Sequence, residues 1–248
     1  MRAQPYPGRF IHGISFGDWY PCWNLSLDGR LRSPDFMAAV DPGLAATYRP
    51  IREVPIETLR TSGVPQGVPT PRATWYVWAA AWVRRGGHVG VGLNSPHWLP
   101  QPDLREILRI GDVELAFEGA RRQYLPEGAS RLASLYLADD SDIGRAHVRA
   151  MLGPSVLLLP VVVPLALRVS RVDTKWFDLY CQDAKPEYLE KYWLSLPGDP
   201  GAPTWEYLVD GMIEVDDQAA LTRVREFGAH RKVASKRGES TEQRAAGV

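Results

Sequence analysis

A mixed α+β fold is what this sequence predicts, and three observations predict it. Strand-like stretches recur along the chain but are scattered among short helix-like ones, no strand alternates regularly with a long helix, and glycine and proline turn signals separate the segments. The same pattern disfavours a doubly wound parallel sheet. The 248 residues, 45% of them hydrophobic, suffice for one sizeable core. The expected organisation is one domain over residues 1–233 and a disordered tail over 234–248, where "ASKRGESTEQRAAG" offers nothing large and apolar to bury.

Arg9 to Ser15 reads as the first strand, with Phe10, His12 and Ile14 on one face and Ile11 on the other. Residues 16–71 are rich in proline, glycine and aromatics and read as mostly irregular, with one helical stretch around Phe36 to Val40. They open a long Pro/Trp-rich insertion after the first strand, which carries helices and extends over about residues 16–125. In "ATWYVWAAAWVRR" Trp75, Trp78 and Trp82 fall at i, i+3 and i+7, and Gly86-Gly87 ends the helix. That stripe reads as core packing, with ligand stacking the lesser alternative.

"HVGVGL" reads as a short strand whose "GVG" does not follow the dinucleotide-binding glycine pattern. "PDLREILRI" reads as a short helix leading through "GDVELAF" into the strand "SLYLADD". There Leu135 and Leu137 share one face and Ser134, Tyr136 and Ala138 the other. Asp140 or Ser141 then caps a helix that turns Ile143, Ala146 and Ala150 inward. Ser155 to Arg171 reads as two short strands or edge positions around Pro160 and Pro164. "WFDLY" adds a short strand, "KPEYLEKYW" a helix with proline in its first turn, and Trp205 to Val215 two short strands hinged at Asp210-Gly211.

Twenty-nine basic and 29 acidic residues leave no net charge, so the whole-molecule field of many nucleic-acid and membrane binders is missing. Two cysteines without a C-x-x-C pair, and histidines without clustering, argue against a zinc site and against a secreted disulfide framework, which makes the cytoplasm the expected compartment. "VLLLPVVVPLAL" is too short and too proline-broken to span a bilayer, and "MRAQPYPGRF" lacks the apolar core of a signal peptide. Neither a metal nor a membrane partner is expected.

Tyr136 stands between small side chains, which leaves room over its ring for another flat ring or for a packed loop. Glu206 opens "WEYLVDG" on the face of Leu208 and Asp210, either at a solvated rim or held in a cleft. His12, beside Gly13, reads as a structural histidine or a ligand contact.

Together "IHGIS", "SLYLADDSD" and "WEYLVDG" resemble, in this order, the motif strands of the ADP-ribosyltransferase superfamily of the His-Tyr-Glu kind, which includes poly(ADP-ribose) polymerase catalytic domains and diphtheria-like toxins. The similarity spans nearly the whole chain and suits a bacterial or phage member, although Ile14 stands where the family carries Thr or Ser. Arg9 and Ser134 fit the family's Arg-Ser-Glu branch less well.

The resemblance implies a split, mixed β-sheet core and NAD as a consumed substrate. It assigns Glu206 to the nicotinamide-ribose 2'-hydroxyl and the oxocarbenium-like state, and Tyr136 to stacking on nicotinamide, with Ser134 beside it. His12 falls on the adenine-side ribose and the Gly13 backbone on the carboxamide, while Arg131 reaches the pyrophosphate as a bidentate donor. Thr204 replaces the second glutamate of arginine-directed members, so protein arginine is not the expected target.

The implied activity is mono-ADP-ribosylation of an intracellular target by a toxin or defence enzyme. The acceptor stays open between protein, nucleic acid and small molecule, and there is room for a cognate antitoxin or immunity protein. The alternatives are an NAD glycohydrolase, with water as acceptor, and an inert binding module that uses the tryptophan-rich insertion as its contact surface.

Overall fold

The computed structural model describes residues 3–15, 19–64, 72–91 and 97–226. The expected tail over 234–248 lies outside the described residues. The chain runs through β1 (Gln4–Ile14), α1 (Trp19–Asp28), β2 (Arg30–Arg32), α2 (Pro34–Val40), α3 (Pro42–Ala45), a 3₁₀ turn (Ile51–Glu53), α4 (Ile56–Ser62) and α5 (Arg72–Arg84). It continues through β3 (Gly90–Val91), β4 (His97–Trp98), α6 (Gln101–Tyr124), β5 (Leu135–Asp139), α7 (Asp142–Leu152) and β6 (Leu157–Asp173). Helices α8 (Thr174–Asp183) and α9 (Pro186–Trp193) and strand β7 (Trp205–Val215) come next, and helical backbone resumes over 218–226.

The fold is mixed α+β. Five strands pair in the order β2-β7-β5-β1-β6, with β7 also pairing β6. Strands β1 and β5 are antiparallel, with Phe10 opposite Asp139 and Ile11 opposite Ala138.

Several expectations need correction, each for a local physical reason. The stretch read as mostly irregular is largely helical, and its prolines start helices: Pro34 and Pro42 occupy first-turn positions behind the capping side chains of Ser33 and Asp41. Residues 101–124 form one long helix rather than a short helix over "PDLREILRI" with a connection after it. Gly111 does not break it, because a Cβ there would lie 2.5 Å from Ala80 Cβ and 3.1 Å from the Tyr76 carbonyl. The glycine lets α5 and α6 approach closely.

"WFDLY" belongs to α8, whose N-terminus is capped by the Asp173 carboxylate accepting from the Lys175 N–H at 3.0 Å. Strand β6 continues through both prolines. They stand four residues apart, so their missing N–H groups fall on the same edge, and the Pro160 carbonyl still accepts from the Asp216 N–H at 3.0 Å. Strand β7 is likewise continuous, and Gly211 is no hinge. A Cβ there would lie 2.4 Å from the Leu165 carbonyl oxygen.

The tryptophan stripe of α5 is core only in part: Trp78 packs against the buried cluster of Ala79, Ala80 and Ile107, while Trp75 and Trp82 are 39% and 42% exposed. In α7, Ile143, Ala146 and Ala150 are exposed and Gly144 and Val148 face inward. Ser141 caps this helix, and a Cβ on Gly144 would stand 2.1 Å from the Asp139 carbonyl oxygen, which fixes the face that turns in.

The chain folds into two compact units, and β5, β6 and β7 each contribute to both. The larger draws on residues 3–6, 32–137 and 165–212. Its core includes Val77, Leu115 and Leu132 on one side of α6 and Phe117, Val172, Trp193 and Leu208 on the other. Each large side chain buried there contributes about 1.5–3 kcal/mol. The smaller unit draws on 7–31, 138–164 and 213–226, with Ile11, Ala138 and Val148 at its centre.

Candidate functional site

Inside the larger unit, charge is buried on an otherwise apolar helix face. Glu114 and Glu118 of α6 are 3% and 0% exposed and stand one turn apart, with Phe117 between them. Glu118 accepts from Arg121 at 2.8 and 3.0 Å, from Arg122 at 2.9 Å and from the Ser130 hydroxyl at 2.7 Å. Arg121 also donates to the Pro126 and Gly128 carbonyls, at 2.8 and 3.2 Å. These bonds pin the loop after α6 and so hold the next residue, Arg131, inside the core.

Arg131 is the centre of a cage. Its Nε and Nη2 donate to both oxygens of Glu114, at 2.8 and 3.0 Å. Its Nη1 donates to the Tyr192 hydroxyl of α9 at 2.5 Å and to Glu206 of β7 at 3.3 Å. Four rings surround the guanidinium, with centroids at 4.2 Å for Phe177, 5.3 Å for Tyr136, 5.6 Å for Tyr192 and 5.7 Å for Phe117. Burial opposes its charge, yet Glu114, Tyr136 and Tyr192 hold its pKa well above the ordinary arginine value.

One cation therefore faces two carboxylates, and the imbalance falls on Glu206. Burial, and next to it the charges of Glu114 and Asp178, raise its carboxyl to about 7, against the pull of Arg131 and a hydrogen bond from Tyr192. Near neutral pH this group exists both as acid and as carboxylate. It can therefore hold a proton or stabilise a positive centre.

The predicted residues divide between the units. Tyr136, Arg131 and Glu206 meet in this one cluster. Tyr136 is half-buried, its hydroxyl donates to the Arg131 carbonyl at 2.7 Å, and burial pushes that hydroxyl well above the ordinary tyrosine range. Ser134 is 1% exposed and its hydroxyl has no hydrogen-bond partner among the described residues. The Arg131 guanidinium, expected to reach a pyrophosphate, is spent on Glu114, Tyr192 and Glu206.

His12 and Gly13 belong to the smaller unit. His12 is half-buried. Gly13 lies against α7, where a Cβ would meet Val148 Cγ1 at 2.4 Å and Leu152 Cδ1 at 2.7 Å.

Sequence reasoning missed Glu114, Phe117, Phe177 and Tyr192. The one available signal was the pair of acids at i, i+4 followed by Arg121 within the apolar run "VELAFEGAR". Among the described residues, no group of three or more His, Cys, Asp and Glu is placed to hold a metal, and no helix is long and apolar enough to cross a membrane. No protein-family model matches this chain, and no curated protein matches it.

Proposed function

We propose that the protein is an NAD-consuming ADP-ribosyltransferase in which Glu206 is the catalytic carboxylate and Tyr136 the nicotinamide platform. The observation that carries this reading is the environment of Glu206: an inward carboxylate on a central strand, beside two tyrosines, with its pKa raised to about 7.

In the reaction, the bond between the nicotinamide nitrogen and ribose C1' breaks and nicotinamide leaves with the electron pair. The ionised Glu206 stabilises the oxocarbenium-like centre through the adjacent 2'-hydroxyl. The acceptor nucleophile bonds C1' and loses its proton to solvent. Because this role needs the carboxylate form, turnover rises with pH through about 7.

Incubation with labelled NAD and a lysate tests the reading. Nicotinamide release and a labelled macromolecule, both lost in Glu206→Gln, are expected; release without macromolecular label identifies water as the acceptor. Absence of release from the wild type overturns the proposal.

A second reading, an inert binding module, is favoured by the burial of Glu206, which is 3% exposed and already bonded to Arg131. Its mark is the lack of any thermal shift with NAD. A ligand at a hundred times its Kd stabilises a protein by about 2.7 kcal/mol.

A further inference from the structure

The larger unit also contains a cavity of about 250 Å³ that shares no lining residue with the Arg131 cage. Its lining includes Ala38, Ala45 and Leu167 beside Asp35, Tyr48 and Arg168, with the exposed Arg52 as a further wall. Asp210 backs the cavity. One of its oxygens accepts from the Ser33 hydroxyl at 2.8 Å and the other from Arg168 Nη1 at 2.6 Å.

Arg168 is left under-used by the protein. Its side chain is 8% exposed, the bond to Asp210 engages one of its five N–H groups, and its buried Nε has no partner among the described residues. Asp35 is under-used as an acceptor: it takes the Tyr48 hydroxyl at 2.7 Å on one oxygen. A buried donor in a cavity wall that meets no acceptor among the described residues points to something that completes it, and the half-buried Asp35 stands in the same wall with acceptor capacity beyond Tyr48.

Charge narrows what that is. Asp210 already balances Arg168, and Arg52 acts on Asp35 as an opposing charge. A net-charged ligand meets no uncompensated field. What stays unmet is the buried donor on Arg168; Asp35 adds acceptor capacity in the same lining, and a group that carries an acceptor and a donor together complements the two. The volume falls below the roughly 300–1,000 Å³ typical of sites for drug-sized ligands, so the ligand is small.

We propose that this cavity binds a small, net-neutral primary carboxamide whose oxygen accepts from Arg168 and whose NH₂ donates to Asp35, with its apolar remainder against Ala38, Ala45 and Leu167. Burial, and next to it the charge of Asp210, raise the Asp35 carboxyl to about 6, while Tyr48, Arg168 and Arg52 oppose that rise, so this acceptor is strongest above that pH. The assignment is independent of the ADP-ribosyltransferase reading.

Calorimetric titration of the full chain near pH 8 with isobutyramide, isobutyrate and isobutylammonium is the test. Saturable binding of isobutyramide alone is expected, weakened about tenfold or more in Asp35→Ala and in Ala45→Phe. The second variant fills the cavity from an exposed position and leaves the polar residues in place, so it serves where Asp35→Ala melts early. Tighter binding of isobutyrate, unchanged binding in Ala45→Phe, or no saturable isobutyramide binding to the wild type overturns the assignment.

Discussion

Arg131 meets Glu206 through one hydrogen bond of 3.3 Å while it grips Glu114 with two of 2.8 and 3.0 Å. The unequal sharing leaves Glu206 as the weaker-held carboxylate in a buried cluster. Its folded pKa, about 7, lies above the ordinary 4.5, so the folded state binds more protons than the unfolded state between these values. Glu206 therefore lowers stability progressively as pH rises through that window, and the cost is complete above about 7. Melting curves across the same range will show Glu206→Gln with a flatter decline than the wild type. Parallel declines mean that another group carries the proton.

Arg131→Met is expected to cost about 3–5 kcal/mol in urea denaturation, because it leaves Glu114 and Glu206 buried without their cation. Adding Glu206→Gln to that variant recovers part of the loss. Arg131→Lys does not rescue fully, since an ammonium cannot bridge both oxygens of Glu114 in the planar fork that the cage is built around.

Tyr136→Phe removes the bond to the Arg131 carbonyl but keeps the ring, at a cost of about 1 kcal/mol. Under the proposed mechanism this variant still releases nicotinamide from NAD, whereas Tyr136→Ala loses the stacking surface and most of the turnover. Equal turnover in both would assign Tyr136 to packing.

Gly13→Ala is expected to destabilise by about 1–3 kcal/mol, from overpacking against Val148 and Leu152. Val148→Ala in the same chain removes the nearer clash and restores part of the stability. Thermal denaturation of the single and double variants measures the coupling. Additive losses would show that the helix contact is not what demands the glycine.

The sequence was most legible where a local rule decides the outcome. The strands around His12 and Tyr136 follow from two-residue alternation. Helix α9 follows from a proline at its first turn, and the cap of α7 from Ser141. It misled wherever glycine and proline were read as breaks. At Gly111 and Gly211 the missing side chain makes room for a neighbouring helix or strand, and at Pro160 the missing N–H is tolerated within a continuous strand.

The same division holds for the candidate site. By itself, the sequence determined that Tyr136 and Glu206 sit on strands, and that Tyr136 is flanked by small neighbours, because strand periodicity is local. Only the tertiary structure decided that Arg131 lies between Glu114 and Glu206, 17 and 75 residues away along the chain. The surplus of negative charge around that arginine, and so the raised pKa of Glu206, exists only once distant carboxylates share one cation out of reach of water.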